Sequence, residues 1–123
     1  MLSSSNTEIA SALQALQQTN PEIQAVALAR IEGRILESTA LSMAEKVQVG
    51  STSAALLAIA TKMSNYMQLG DAKQMQVKGE SGSVLLFRAG TTAILAVLIN
   101  GDLKLESISI EAHRLASRLA VMV

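Results

Sequence analysis

The 123-residue sequence holds few side chains able to do chemistry, and they are scattered. His113, the one histidine, is the only side chain whose ordinary proton affinity lies near neutrality. It sits between Ala112 and Arg114 in a segment of helical spacing, with no second histidine, no cysteine and no carboxylate pair at ligand spacing. That pattern predicts a surface or boundary histidine, with a pH switch as the lesser alternative, and no metal site. "GESGS" at 79–83 superficially resembles phosphate loops and serine elbows. It lacks the Gly-Lys-Ser/Thr ending that opens a helix, and Ser81 has Ser83 where an elbow needs glycine. "GSTS" at 50–53 could offer helix-start amides to an anion, but capping of the helix explains the same residues. The carboxylates Glu32, Glu37, Glu45, Glu80, Asp102 and Glu106 are dispersed over turns and helix starts, so spacing nominates no acid/base pair. No catalytic residue, cofactor-binding residue or metal ligand is expected.

Composition narrows the class further. Ten basic residues balance ten acidic ones without clustering, which removes the field that nonspecific nucleic-acid binding needs. With one Phe, one Tyr and no Trp, the core must be aliphatic, helped by six Met. The absence of cysteine rules out disulfides and thiolate metal sites and fits the cytoplasm. "MLSSSNTE" has neither the basic flank nor the apolar run of a signal peptide, and the long apolar stretch "AALLAIA" is too short to cross a bilayer. One domain spanning 1–123 is expected.

The elements follow from periodicity. "SNTE" has capping-box spacing, with Ser5 before a helix from about 5 to 18 that carries Ile9, Leu13 and Leu16 on one face; Pro21 stops it. Residues 24–30 and 34–38 read as strands joined by a tight turn at Glu32 and Gly33, where glycine can take positive φ. The first is apolar at nearly every position, as in an inner strand covered on both faces or one whose alanines lie under a helix. Residues 39–48 read as a crossing loop or a half-turn, 50–70 as a helix ended by Gly70, and 71–78, 84–88 and 93–100 as strands with short glycine-bearing connections. Leu105, Ile108, Ala112, Leu115 and Leu119 form one stripe of a final helix. The order is α-β-β-α-β-β-β-α, an α+β fold with helices on both faces of one sheet.

The helix 50–70 has a single charge, Lys62. At 100° per residue Leu56, Ile59, Met63, Tyr66 and Met67 form a broad stripe expected to lie on the sheet. Opposite stand Ala54, Leu57, Ala58, Thr61, Ser64, Asn65 and Gln68, small or neutral where surface helices carry charge. Either another part of the chain covers this second side, or it lies exposed, or a partner does; a twofold pairing is the simplest symmetric partner. Met75 and Val77, alternating with Gln74, Gln76 and Lys78, would join the interface if their strand lies at the sheet edge and pairs with its own copy.

Together, "AVALARIEGRILEST", "AALLAIATKM", "MQVKGESGSVLLFRAGTTAILAVLI" and "EAHRLASRLA" make the chain resemble the roadblock family, the dynein-light-chain-related proteins that include bacterial regulators of Ras-like GTPases. The resemblance runs from about Thr7 to Leu119. It implies a five-stranded antiparallel, profilin-like sheet between helices, and homodimers or heterodimers in which the middle helix and the following strand meet their counterparts. It also implies a noncatalytic platform without cofactors that regulates or scaffolds a Ras-like GTPase; the alternative is a structural assembly subunit that leaves GTP hydrolysis unchanged. A small-molecule sensor is a third reading, with no convergent polar groups to support it.

Overall fold

The computed structural model describes residues 2–101 and 105–123, with residues 2–5 described by backbone alone. Helix α1 (Leu2–Gln18) is followed by β1 (Ile23–Arg30), β2 (Ile35–Ser38), α2 (Met43–Tyr66), β3 (Gln74–Lys78), β4 (Gly82–Ala89), β5 (Ala93–Asn100) and α3 (Glu106–Leu119). The strands form one antiparallel sheet in the order β2-β1-β5-β4-β3, so β1, β5 and β4 lie inside it and β2 and β3 are its edges. The α+β class and the order of elements are those expected from the sequence.

Alternation along the strands divides the core in two. Val26, Leu28, Leu85, Phe87, Leu95 and Val97 face α1 and α3, which bring Ile9, Leu13, Leu16, Ile108, Ala112, Leu115 and Leu119 onto them. Ala27, Leu86, Ile94 and Ala96 face the other way, toward α2. β1 therefore satisfies both readings of its apolar run: it is covered on both faces, and its alanine lies under a helix. The turn after β1 is closed by bonds from Gly33 N to Arg30 O and from Arg30 N to Arg34 O, with Gly33 at φ +111°.

Several boundaries differ from expectation. α1 begins at Leu2, ahead of Ser5, whose side chain lies outside the described residues. α2 starts at Met43, so 43–48 is helix rather than crossing loop. Its cap is Ser42: the Ser42 hydroxyl accepts from Glu45 N at 3.2 Å, and Ser42 N donates to the Glu45 carboxylate at 2.8 Å. At the far end the helix stops at Tyr66, and the left-handed residue that terminates it is Gln68 (φ 64°), not Gly70. The bonds from Gln68 N to Asn65 O and from Leu69 N to Ser64 O make this a Schellman ending with a non-glycine at its tight position.

Candidate functional site: the open flank of helix α2 and the β3 edge

α2 is 24 residues long, or about 36 Å of helix, and its seating on the sheet is set by small residues. Its buried positions are Gly50, Ser53 and Leu57. A Cβ on Gly50 would collide with the carbonyl oxygen of Gly33, so the helix backbone rests directly on the β1–β2 turn. The helix interior tolerates this glycine, at about 1 kcal/mol against alanine, because no larger residue fits.

This seating turns the helix from the orientation expected. Leu57, placed on the outer side by the sequence, is 1 % exposed and packs with Ala27, Leu86, Ile94 and Ala96. Ile59, Met63 and Tyr66, expected on the sheet, are 64 %, 63 % and 83 % exposed, and Met67 is exposed too. The physical reason is that bulk marks a helix's apolar stripe but not its contact line. Where a helix lies close on a sheet, the line of contact is filled by glycine, serine and alanine, and large side chains go to the flank.

Leu56, one residue and about 100° from Leu57, is half-buried on that flank. With Val49, Thr52 and Ser53 it walls a groove of about 350 Å³ whose floor is Val77, Val84 and Leu98, with Gln48 at the rim. The floor belongs to β3, β4 and β5, the part of the sheet α2 leaves uncovered, and the groove runs out to β3 at the sheet edge. Apart from its helix polar groups the lining is aliphatic.

The nine residues expected at an interface are thus split. Met75 and Val77 lie at this edge, the first half-buried and the second 40 % exposed. Ala54 and Ser64 are half-buried, Leu57 is in the core, and Thr61 accepts a hydrogen bond from Arg88. Leu57 therefore offers no surface to a second chain, and Thr61 is engaged within its own. Ala58 and Asn65 are exposed on the opposite flank, about 200° and 180° round from Leu56, and Asn65 bonds Asp71 at 2.9 Å; Gln68 forms the helix ending. Leu56, Ile59, Met63 and Tyr66 on this flank belong to the stripe assigned to the core; Val49 and Thr52 do not. The "SMAE" capping-box spacing was the signal that could have extended the helix to include Met43 and Val47, both exposed.

The motifs considered for chemistry are placed without convergence. "GSTS" lies inside α2, where its amides belong to the helix ladder rather than to an open N-terminus. "GESGS" forms the β3–β4 turn, closed by the bond from Gly79 N to Gly82 O. His113 is exposed on α3, its ring 6.5 Å from Phe87 in an edge-on arrangement. Among the described residues no three of His, Asp or Glu gather as metal ligands; Asp102 lies outside them. No helix among the described residues is long and apolar enough to cross a membrane.

The family model of the Roadblock/LC7 domain matches residues 9–99, from the buried face of α1 through β5. The chain belongs to the Roadblock/LC7 family. Comparison with curated protein sequences gives no match. Among solved structures, a Roadblock/LC7 domain from Streptomyces avermitilis is similar at 19 % identity and a TM-score of 0.85, covering 93 % of this chain and 98 % of its own. Myxococcus xanthus MglB is similar at 15 % identity and 0.84, covering 96 % and 92 %. Acanthamoeba castellanii profilin IA matches at 14 % and 0.64, covering 91 % and 96 %. At these identities the likeness is one of fold, and it sets the Roadblock/LC7 sheet and its helices within a wider profilin-like architecture.

Proposed function

We propose that this Roadblock/LC7 chain is a noncatalytic platform, acting as one domain over 1–123, that pairs with a second copy of itself or a related chain and binds a cytoplasmic Ras-like small GTPase as regulator or scaffold. The observation that carries the pairing is the apolar flank of α2 overhanging an uncovered aliphatic strip beside the unpaired edge of β3. Antiparallel pairing of β3 with its counterpart would continue the sheet and bring two such flanks together over the groove. That would satisfy the edge amides and the exposed Ile59 and Met63 in one step. Burying a side chain of that size fully is worth about 1.5 to 3 kcal/mol. The interface so drawn keeps Met75 and Val77 and replaces Leu57 and Thr61 by Val49, Thr52, Leu56, Ile59 and Met63.

Family membership and the similarity to MglB support the GTPase half of the reading, and dispersed polar groups agree with a platform that need not supply chemistry of its own. Sedimentation velocity over a wide concentration range reads the pairing. Pull-down against Ras-like GTPases in both nucleotide states, with GTP hydrolysis followed, reads the rest. Binding with a changed rate supports a regulator, and binding with an unchanged rate identifies a passive assembly subunit. Binding to none of them in either state overturns the GTPase reading.

A further inference from the structure

Arg88 stands in β4, opposite Ile94 of β5, on the side of the sheet that α2 covers. It is half-buried beside a cluster built of Ala, Ile, Leu, Val and Met. Its Nε donates to Ala72 O at 2.9 Å and its Nη2 to Thr61 Oγ1 at 2.7 Å, while its main-chain N–H donates to Lys73 O at 2.8 Å. No carboxylate among the described residues forms an ion pair with it. A guanidinium drawn partly out of water without a counter-charge works against stability, and an aliphatic chain of similar length would sit there at less cost. What the guanidinium adds is reach: one planar fork bonds the second half of α2 and the segment leading into β3 at once. Lysine, with a single point of charge, cannot serve both acceptors in the same geometry.

We infer that Arg88 is a positioning residue for self-association, fixing the second half of α2 and the start of β3 relative to each other so that the helix flank and the strand edge form one surface. The inference rests on reading that surface as the seam between two chains. Arg88 lies outside the seam and acts on it through its bonds to Thr61, Ala72 and Lys73.

The test compares wild type with Arg88→Met, Arg88→Lys and Thr61→Val by sedimentation velocity, amide hydrogen exchange over 72–78 and thermal unfolding. Both Arg88 variants are expected to weaken self-association roughly tenfold, the scale of losing a hydrogen bond from a charged group, and to speed exchange over 72–78 by a similar factor. At dilutions where every chain is monomeric, and where dissociation cannot itself lower the melting point, Arg88→Met should unfold at or above the wild-type temperature. Thr61→Val, which leaves the charge and removes one acceptor, should show a smaller loss in the same direction, and it carries the test if an Arg88 variant does not fold. Wild-type association and exchange in all three variants overturn the inference, as does weakened association that merely tracks a lowered unfolding temperature of the monomer. A wild-type chain that stays monomeric at every concentration defeats the seam reading and, with it, the assembly role of Arg88. Faster exchange in the variants would then show only a local clamp.

Discussion

The two faces of the sheet are closed by different means. On one, α1 and α3 bring long aliphatic side chains onto Val26, Leu28, Phe87, Leu95 and Val97, and large residues meet large residues across the layer. On the other, α2 alone approaches, seated on Gly50 and Ser53 with Leu57 as its one large fully buried side chain, while Ile59, Met63 and Tyr66 stand clear. The first face is finished within the chain. The second leaves apolar side chains exposed beside the edge strand β3, so on the proposed pairing folding and association draw on separate sets of residues. A helix with apolar residues on two sides is thus no contradiction: one side seats it and the other is left over.

The comparison is broken most directly by exchanging the roles of neighbouring residues. Leu57→Ala should cost about 2 to 5 kcal/mol in denaturant unfolding, as deletion from a packed core does. Ile59→Glu, two residues on and largely exposed, should leave unfolding of the isolated chain within about 0.5 kcal/mol. It should nonetheless abolish self-association in sedimentation velocity. If the two substitutions act alike on stability, the division between seat and flank is wrong.

Gly50→Ala comes next. Its new methyl meets a backbone carbonyl rather than a flexible side chain, so the β1–β2 turn must move; a loss of about 1 to 3 kcal/mol is expected by calorimetry. Gln68→Gly should act in the opposite sense. It relieves a left-handed glutamine at the helix ending and should stabilise the chain by about 1 kcal/mol, with the denaturation midpoint raised.

The smallest expected effect is at the helix start. The Ser42 backbone N–H, and secondly its hydroxyl, hold the Glu45 carboxyl below its ordinary value of 4.5. A carboxyl with a lowered folded-state pKa stabilises the fold above the unfolded value and loses that contribution as pH falls through the folded one. Glu45→Gln should flatten this acid limb of the stability profile and leave the neutral region nearly unchanged.

Much of this was legible beforehand. Ile9, Leu13 and Leu16, and Ile108 through Leu119, announce their buried stripes because each helix has one apolar side and one polar one. β3 could be suspected as an edge from its alternating Met75 and Val77. What local pattern could not give is the rotation of α2, since that depends on Gly50 meeting Gly33, residues in different elements. Gly50 also misled by looking like a helix cap, which hid the first two turns although Ser42 and Glu45 stood at capping-box spacing. Of the helix positions sought for an interface, Leu57 is the one that the core takes up, and the small residues that mark close packing are Gly50 and Ser53, outside that set.

The contact of Gly50 with Gly33 also bears on how the proposed partner would be met. A helix resting on a turn backbone to backbone cannot roll about its axis without unseating the hairpin. The flank it presents is therefore a fixed relief rather than a surface moulded on encounter. Little ordering entropy should oppose docking, and adjustment should be confined to the rotamers of side chains such as Ile59, Met63 and Tyr66. Choice between one related chain and another would then be made by steric fit along a rigid edge, with folding on contact playing no part.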